Sequence, residues 1–64
     1  MKRAYRISVY EAKDGWRWRM KAPNGRIVAD SGEAYVRRSS AVRAADAIVA
    51  GVRARGMFVE VGAA

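Results

Sequence analysis

One segment of this chain alternates large apolar and basic residues without a break. It reads WRWRMKA over residues 16–22. Successive side chains of a β-strand point to opposite faces, so a strand here would gather the apolar residues on one face and the cations on the other. We predict a half-buried strand. Trp16 and Trp18 are expected in the core of a domain that needs their area, with stacking on nucleic-acid bases as the alternative.

Two further segments with the same period flank this strand. They are AYRISVY, residues 4–10, and RIVAD, residues 26–30. The apolar residues expected to face inward are Tyr5, Ile7, Val9, Ile27 and Ala29. The intervening sequences EAKDG (11–15) and PNG (23–25) are typical of hairpin turns, and Asn-Gly favours type I′ geometry. The sequence therefore predicts a three-stranded antiparallel meander.

After residue 39 the apolar period changes to three and four residues, as in an amphipathic helix. The stripe consists of Val42, Ala45, Ile48, Val49 and Val52. We expect the hydroxyl of Ser39 or Ser40 to cap the first turn, and Gly56 to end the helix. With the stripe packed on the apolar face of the sheet, the predicted fold class is α+β: a meander with one helix on one face.

The sequence MFVEV, residues 57–61, alternates again and is consistent with a short fourth strand. It pairs either with an edge of its own sheet or with that of a partner. A three-stranded sheet has two open edges, and strand addition between chains would cover one and add burial. We therefore expect a homodimer whose contacts include Met57, Phe58, Val59 and Val61, with residues 62–64 frayed.

The length and composition exclude several other sources of stability. The chain has 64 residues, no cysteine and no histidine. We expect a single domain over residues 1–64, with its core in residues 4–55. A domain of this size buries only about 60% of its unfolded surface. Without cysteine there is no disulfide framework, and without histidine a structural zinc is disfavoured, so self-association is the remaining supplement.

The chain is strongly basic. Thirteen lysine and arginine residues against six acidic ones give a net charge of +7, which favours polyanionic partners. Five cations are expected on the sheet face away from the helix: Arg6, Arg17, Arg19, Lys21 and Arg26. Either they contact the phosphates of a nucleic acid, or they have no such role and are ordinary solvated charges or half of a dimer interface. The abundance of arginine and alanine also fits a GC-rich genome, so both interpretations stay open.

The motifs together resemble a known family. The sequence VYEAKDGWRWRMKAPNGRIVADSGEAY is very similar to the core motif of the YegP-like small domains of unknown function, and the resemblance covers roughly residues 7–52. It implies three antiparallel strands with one helix across a face, either duplicated within a chain or as dimers of single copies. The family has no established activity to transfer to individual residues.

The loop SGEAYVRRSS, residues 31–40, contains Arg37 and Arg38 at the predicted helix start. Helix N-termini favour anions, so these two arginines are a possible anion site. The alternative is an ordinary connection over the sheet edge, with Tyr35 packed as a lid. The choice between the two depends on which side chains the fold brings to the helix start.

Catalysis has little support in the sequence. The serines have no histidine to activate them, and the carboxylates are scattered, so we expect no catalytic residue, metal or cofactor. The N-terminal sequence MKRAYRISVY alternates in polarity, unlike a signal peptide, and no apolar run approaches the roughly 18 residues of a membrane span. We expect a cytoplasmic protein.

We therefore expect a basic, non-enzymatic interaction module that is itself a homodimer. It binds a partner that the sequence does not identify, either a protein or a nucleic acid. The alternative is a DNA-binding protein of bacterial or phage origin that uses its arginine-rich strand on phosphates. Integrase arm-binding and AP2-like domains resemble that arrangement, because three strands are followed by a helix and the sheet contacts DNA.

Overall fold

Four strands and one helix form the fold in a computed structural model that describes residues 4–63. They are β1 (Tyr5–Ala12), β2 (Gly15–Lys21), β3 (Ile27–Asp30), α1 (Arg38–Ala54) and β4 (Val59–Ala63). The sheet has the order β3-β2-β1-β4. The first three strands form the predicted antiparallel meander, and β4 adds to β1 in parallel. The predicted α+β class, with a C-terminal fourth strand, is confirmed.

The apolar face of the central hairpin carries most of the core. Ile7 lies opposite Met20, and Val9 lies opposite Trp18. Ile7 is almost completely buried, and Trp18 and Met20 are buried beside it. The prediction for the tryptophans is therefore right for Trp18, whereas Trp16 is half-buried. The strict alternation of β2 gives the sheet one apolar face and one charged face.

The helix packs on this apolar face through alanine and valine side chains. Ala41, Ala45 and Val49 are the buried residues of α1. Alanine brings the helix axis close to the sheet, so the larger Ile48 and Val52 pack at the sides of the contact and remain partly exposed. The helix contacts β1, β2 and β4.

Strand β4 differs in position and role from the predicted strand at residues 57–61. It begins at Val59, where pairing with Tyr5 starts, and continues to Ala63, opposite Val9. Gly62 and Ala63 therefore lie in the sheet, where we expected a frayed tail. Val59 is only 5% exposed and belongs to the core, so its side chain is not available as a dimer contact.

The second hairpin departs from the expected geometry. A register shift opposite Met20 and Lys21 leaves an extra residue in β3, and this bulge turns Ile27 away from the core. Ile27 is 54% exposed, so the prediction that it faces inward was wrong, whereas Ala29 packs against the core. In the preceding turn only Gly25 has positive φ, which excludes a type I′ turn.

The helix starts earlier than the serine pattern indicates. Arg37 is the N-cap residue, and no side chain caps the first turn. Tyr35 is fixed to Trp16 by two backbone hydrogen bonds of 2.8 and 2.7 Å, so the chain enters the helix directly after this bridge. The predicted caps at Ser39 and Ser40 are therefore wrong, because both residues are already inside the helix. At the other end, Gly56 follows the C-cap residue as expected.

Candidate interaction surfaces

The sheet face opposite the helix, here called the open face, brings together four of the five predicted cations. Alternation along β1 and β2 places Arg6, Arg17, Arg19 and Lys21 on this face. Arg26 does not belong to the same row, because it lies in the turn before β3 and not within the strand. Its backbone N–H donates to Oδ1 of Asn24 at 3.0 Å.

Arg17 is held by a carboxylate of its own hairpin. Its Nη2 donates to Oδ2 of Asp14 at 2.7 Å, and its Nε donates to Oδ1 at 3.3 Å. This two-point contact stabilises both charged groups. The hydrogen bond from Arg17 lowers the pKa of Asp14, and the same bond raises the pKa of Arg17. The guanidinium is thus oriented toward Asp14.

Two further cations of the open face also have partners. The guanidinium of Arg19 lies over the ring of Tyr10, 4.1 Å from its centroid, in a cation–π contact. Nη2 of Arg6 donates to Oε1 of Glu60 at 3.3 Å. Asp30 lies opposite Arg19 in the sheet and adds another negative charge. Carboxylates therefore offset much of the positive charge that the arginines bring to this face.

The two arginines of the possible anion site, Arg37 and Arg38, lie at the start of α1. In the loop before the helix, the Oγ of Ser31 donates to the carbonyl of Glu33 at 2.8 Å. Arg38 lines a shallow depression with Arg43 and Asp46, whose carboxylate offsets part of the positive charge. Tyr35 packs against the core, as the alternative interpretation expected. The anion site at Arg37 and Arg38 remains a prediction.

The C-terminal segment contributes exposed apolar side chains next to an edge of the sheet. Phe58 is 69% exposed, Val61 is 65% exposed, and Met57 is 37% exposed. Val61 lies in β4, and the other two residues lead into that strand. Three of the four predicted dimer contacts thus lie at the surface. We call residues 57–63 the C-terminal edge.

A groove beside the C-terminal edge separates α1 from the sheet. Ile7, Val9, Val61 and Gly62 line it from the sheet, and Arg38, Val42, Ala45 and Asp46 line it from the helix. Its volume is ≈ 410 Å³. The groove exists because α1 packs mainly over β1 and β2 and leaves the end of β4 uncovered. Val61 is therefore exposed although it faces the helix side of the sheet.

The opposite edge, β3, also carries exposed apolar residues, Ile27 and Val28. This strand has only four residues and contains the bulge described above. Short and bulged edge strands pair poorly with other chains. The two edges of the sheet therefore differ in their capacity for strand addition.

Sequence reasoning missed the partners of the cations. Asp14 belongs to the predicted turn EAKDG, and its separation of three residues from Arg17 across a tight hairpin is a usable signal. Glu60 and Arg6 are 54 residues apart, and their contact depends on the parallel pairing of β1 with β4. A parallel strand pair gives no local signal in the sequence, so this contact was not predictable.

The described part of the chain shows neither a metal-binding cluster nor a membrane-spanning helix. Residues 4–63 contain no group of three or more histidine, cysteine, aspartate or glutamate side chains placed to hold a metal ion. Within the same range, α1 is neither long nor apolar enough to cross a membrane.

Comparison with known proteins gives a family assignment. The sequence pattern of a family described as a domain of unknown function (DUF1508) matches residues 11–53, from the end of β1 to the last turn of α1. No curated protein and no solved structure matches the chain significantly. Since the matched segment contains the arginine-rich strand, the bulged hairpin and the helix, the chain belongs to the DUF1508 family, the YegP-like small domains of unknown function.

Proposed function

We propose that this protein is a non-enzymatic interaction module that works as a homodimer, with the C-terminal edge as the contact between copies. The observation that carries the proposal is an edge strand with large apolar side chains at the surface. β4 forms one edge of the sheet, and Phe58 and Val61 are more than half exposed beside it. Symmetric dimers need one patch that is complementary to itself, and an edge strand meets this requirement.

The small core supports self-association. Ile7 is the only large side chain among the described residues that is essentially inaccessible, and two of the seven buried apolar residues are alanine. Covering the exposed side chains of the C-terminal edge would contribute roughly 1.5–3 kcal/mol for each large residue buried. Association costs about 4–15 kcal/mol in lost translational and rotational freedom. Backbone hydrogen bonds along β4 must therefore contribute to the stability of the dimer together with the apolar contact.

The local charge at this edge is favourable as well. A net charge of +7 opposes the approach of two copies. At the C-terminal edge, however, Glu60 offsets the charge of Arg6, which reduces the repulsion there. The groove between α1 and β4 opens on the same side, and a second copy would cover Val61 and the groove together.

Two charge insertions at the two edges test the proposal. Val61→Asp places a carboxylate in the contact, and we expect at least a tenfold weaker dimer, since burial of an unpaired charge is costly. Val28→Asp is the matched control, because it makes the same change at the β3 edge. Sedimentation velocity over a concentration series measures the dimerisation of both variants. Dissociation of V28D with an unchanged V61D dimer would overturn the proposal.

Nucleic-acid binding through the open face is the second candidate, and the four cations that share that face favour it. Arg6, Arg17 and Arg19 already have partners in the fold, so we expect little binding near physiological salt. The test is an anisotropy titration with duplex DNA, single-stranded DNA and RNA at two salt concentrations. Tight, salt-sensitive binding that Arg17→Ala weakens, and that the helix control Arg43→Ala does not, would favour this candidate instead.

A further inference from the structure

The backbone of β4 alternates between the sheet and its outer edge. The carbonyl of Phe58 accepts the N–H of Tyr5 at 2.9 Å, so it points toward β1. Backbone groups of successive strand residues point in opposite directions, and those of Val59 and Val61 therefore point outward. Nη2 of Arg53 donates to the outward carbonyl of Val59 at 3.0 Å. Val61 is thus the central outward residue of the strand.

Arg6 covers the open face next to this position. A Cβ atom built on Gly62 would lie 3.1 Å from Cδ of Arg6, so the stem of the arginine runs directly over the glycine. The guanidinium end of the same side chain reaches Glu60 at 3.3 Å. A positive charge therefore lies above the backbone of Gly62, and a negative charge lies two residues earlier in the same strand.

Charge selects the register in which two antiparallel copies of β4 can pair. With residue 60 on the two-fold axis, Glu60 would face the partner subunit's Glu60. With residue 62 on the axis, the two Arg6 side chains above Gly62 would meet. With residue 59 on the axis, Glu60 would face the partner subunit's Phe58, which carries no positive charge. With residue 61 on the axis, Glu60 faces Gly62 of the partner subunit and hence the partner subunit's Arg6.

We propose that two copies pair antiparallel through β4 with Val61 on the two-fold axis, and that Arg6 of each copy contacts Glu60 of the other. This inference rests on the proposed homodimer and specifies its register. Each Val61 exchanges two backbone hydrogen bonds with its symmetry mate, and the two valine side chains meet on the helix side of a continuous sheet. Each Glu60 keeps its own Arg6 and gains a second one across the axis.

Cysteine crosslinking tests the register. Facing residues of a hydrogen-bonded antiparallel pair have Cα atoms about 5.5 Å apart, within the range of a disulfide. The chain has no cysteine, so Val61→Cys introduces a single thiol. We expect V61C to form a disulfide-linked dimer roughly tenfold or more faster under mild oxidation than Val36→Cys, since Val36 is 92% exposed in the loop before α1.

The two proposals fail in different ways. A wild-type protein that sediments as a monomer overturns the homodimer and the register together. A wild-type dimer in which V61C crosslinks no faster than V36C overturns the register and leaves the homodimer standing.

A mixing experiment tests the contact between chains. Arg6→Glu gathers four negative charges at the axis of a homodimer, and Glu60→Arg gathers four positive ones, so we expect both variants to dimerise more weakly. In a mixed dimer every contact across the axis joins opposite charges, although each chain keeps like charges within itself. Native mass spectrometry of the mixture should show more than the statistical half of mixed dimer. A statistical mixture would show that the pair acts only within one chain.

The double variant R6E/E60R is the control for folding. It reverses both charges and restores the contacts within and between chains. We expect it to dimerise like the wild type, and a weak dimer would contradict the charge-selected register.

Discussion

At the scale of single residues, the open face is distinguished by charges that are already paired. Arg17 is bound to Asp14, Arg6 to Glu60, and Arg19 lies on Tyr10. A cation that must leave a partner before it contacts a phosphate gains less from the new contact than a solvated one. This pairing is why we propose the C-terminal edge, and not the arginine-rich strand, as the functional surface.

The Asp14–Arg17 contact has a measurable consequence. Because the hydrogen bond from Arg17 holds the pKa of Asp14 below its ordinary value, the contact stabilises the fold above the unfolded pKa of about 3.9. That contribution is lost as the pH falls through the lower, folded pKa. Carbon-detected NMR titration should find a lowered pKa for Asp14 in the wild type and an ordinary pKa in Arg17→Gln. The control Arg43→Gln should leave the pKa of Asp14 as it is in the wild type. An ordinary pKa for Asp14 in the wild type would contradict the contact.

At the scale of elements, the loop before the helix is fixed by a close approach at the start of β2. Gly15 has φ of 136°, and a Cβ atom there would lie 2.6 Å from the carbonyl oxygen of Tyr35. Tyr35 is the residue that pairs with Trp16 and leads into α1. Only glycine can therefore bring the first hairpin and the helix entrance together.

Two glycine replacements separate backbone strain from this close contact. Gly25→Ala meets no atom within 4 Å and has only the strain of φ 87°, which costs about 1–3 kcal/mol. Gly15→Ala has comparable strain and a clash with backbone in addition, so we expect the larger loss of unfolding free energy. Urea denaturation of both variants measures the difference. Equal losses would show that the loop moves freely away from β2.

The sequence predicted the elements whose contacts are local. The alternation of β2 and the change of period at the helix were sufficient for the meander, for α1 and for the burial of Trp18. The bulge beside Ile27 was not predictable, because its signal is a shift in pairing between strands and not a residue type. The helix start was misplaced because the bridge between Trp16 and Tyr35 outweighed the capping preference of the serines.

At the scale of the whole molecule, one helix covers only part of a four-stranded sheet. The predicted dimer contacts at Met57, Phe58 and Val61 are at the surface, but Val59 is not, because β4 joined its own sheet instead of remaining outside it. The parallel pairing of β4 also brought Glu60 to Arg6 and created the groove beside α1. Neither the contact between Glu60 and Arg6 nor the groove follows from a local sequence pattern, and both support the proposed interface.

The central claim is that the C-terminal edge joins two copies, and sedimentation equilibrium of the wild-type chain tests it most directly. Samples from low to high micromolar concentration at physiological salt would be compared with V61D, with circular dichroism to confirm that both are folded. We predict a wild-type mass twice that of the chain and a reversible shift of V61D toward the monomer. A folded wild-type monomer across the whole range would contradict the account.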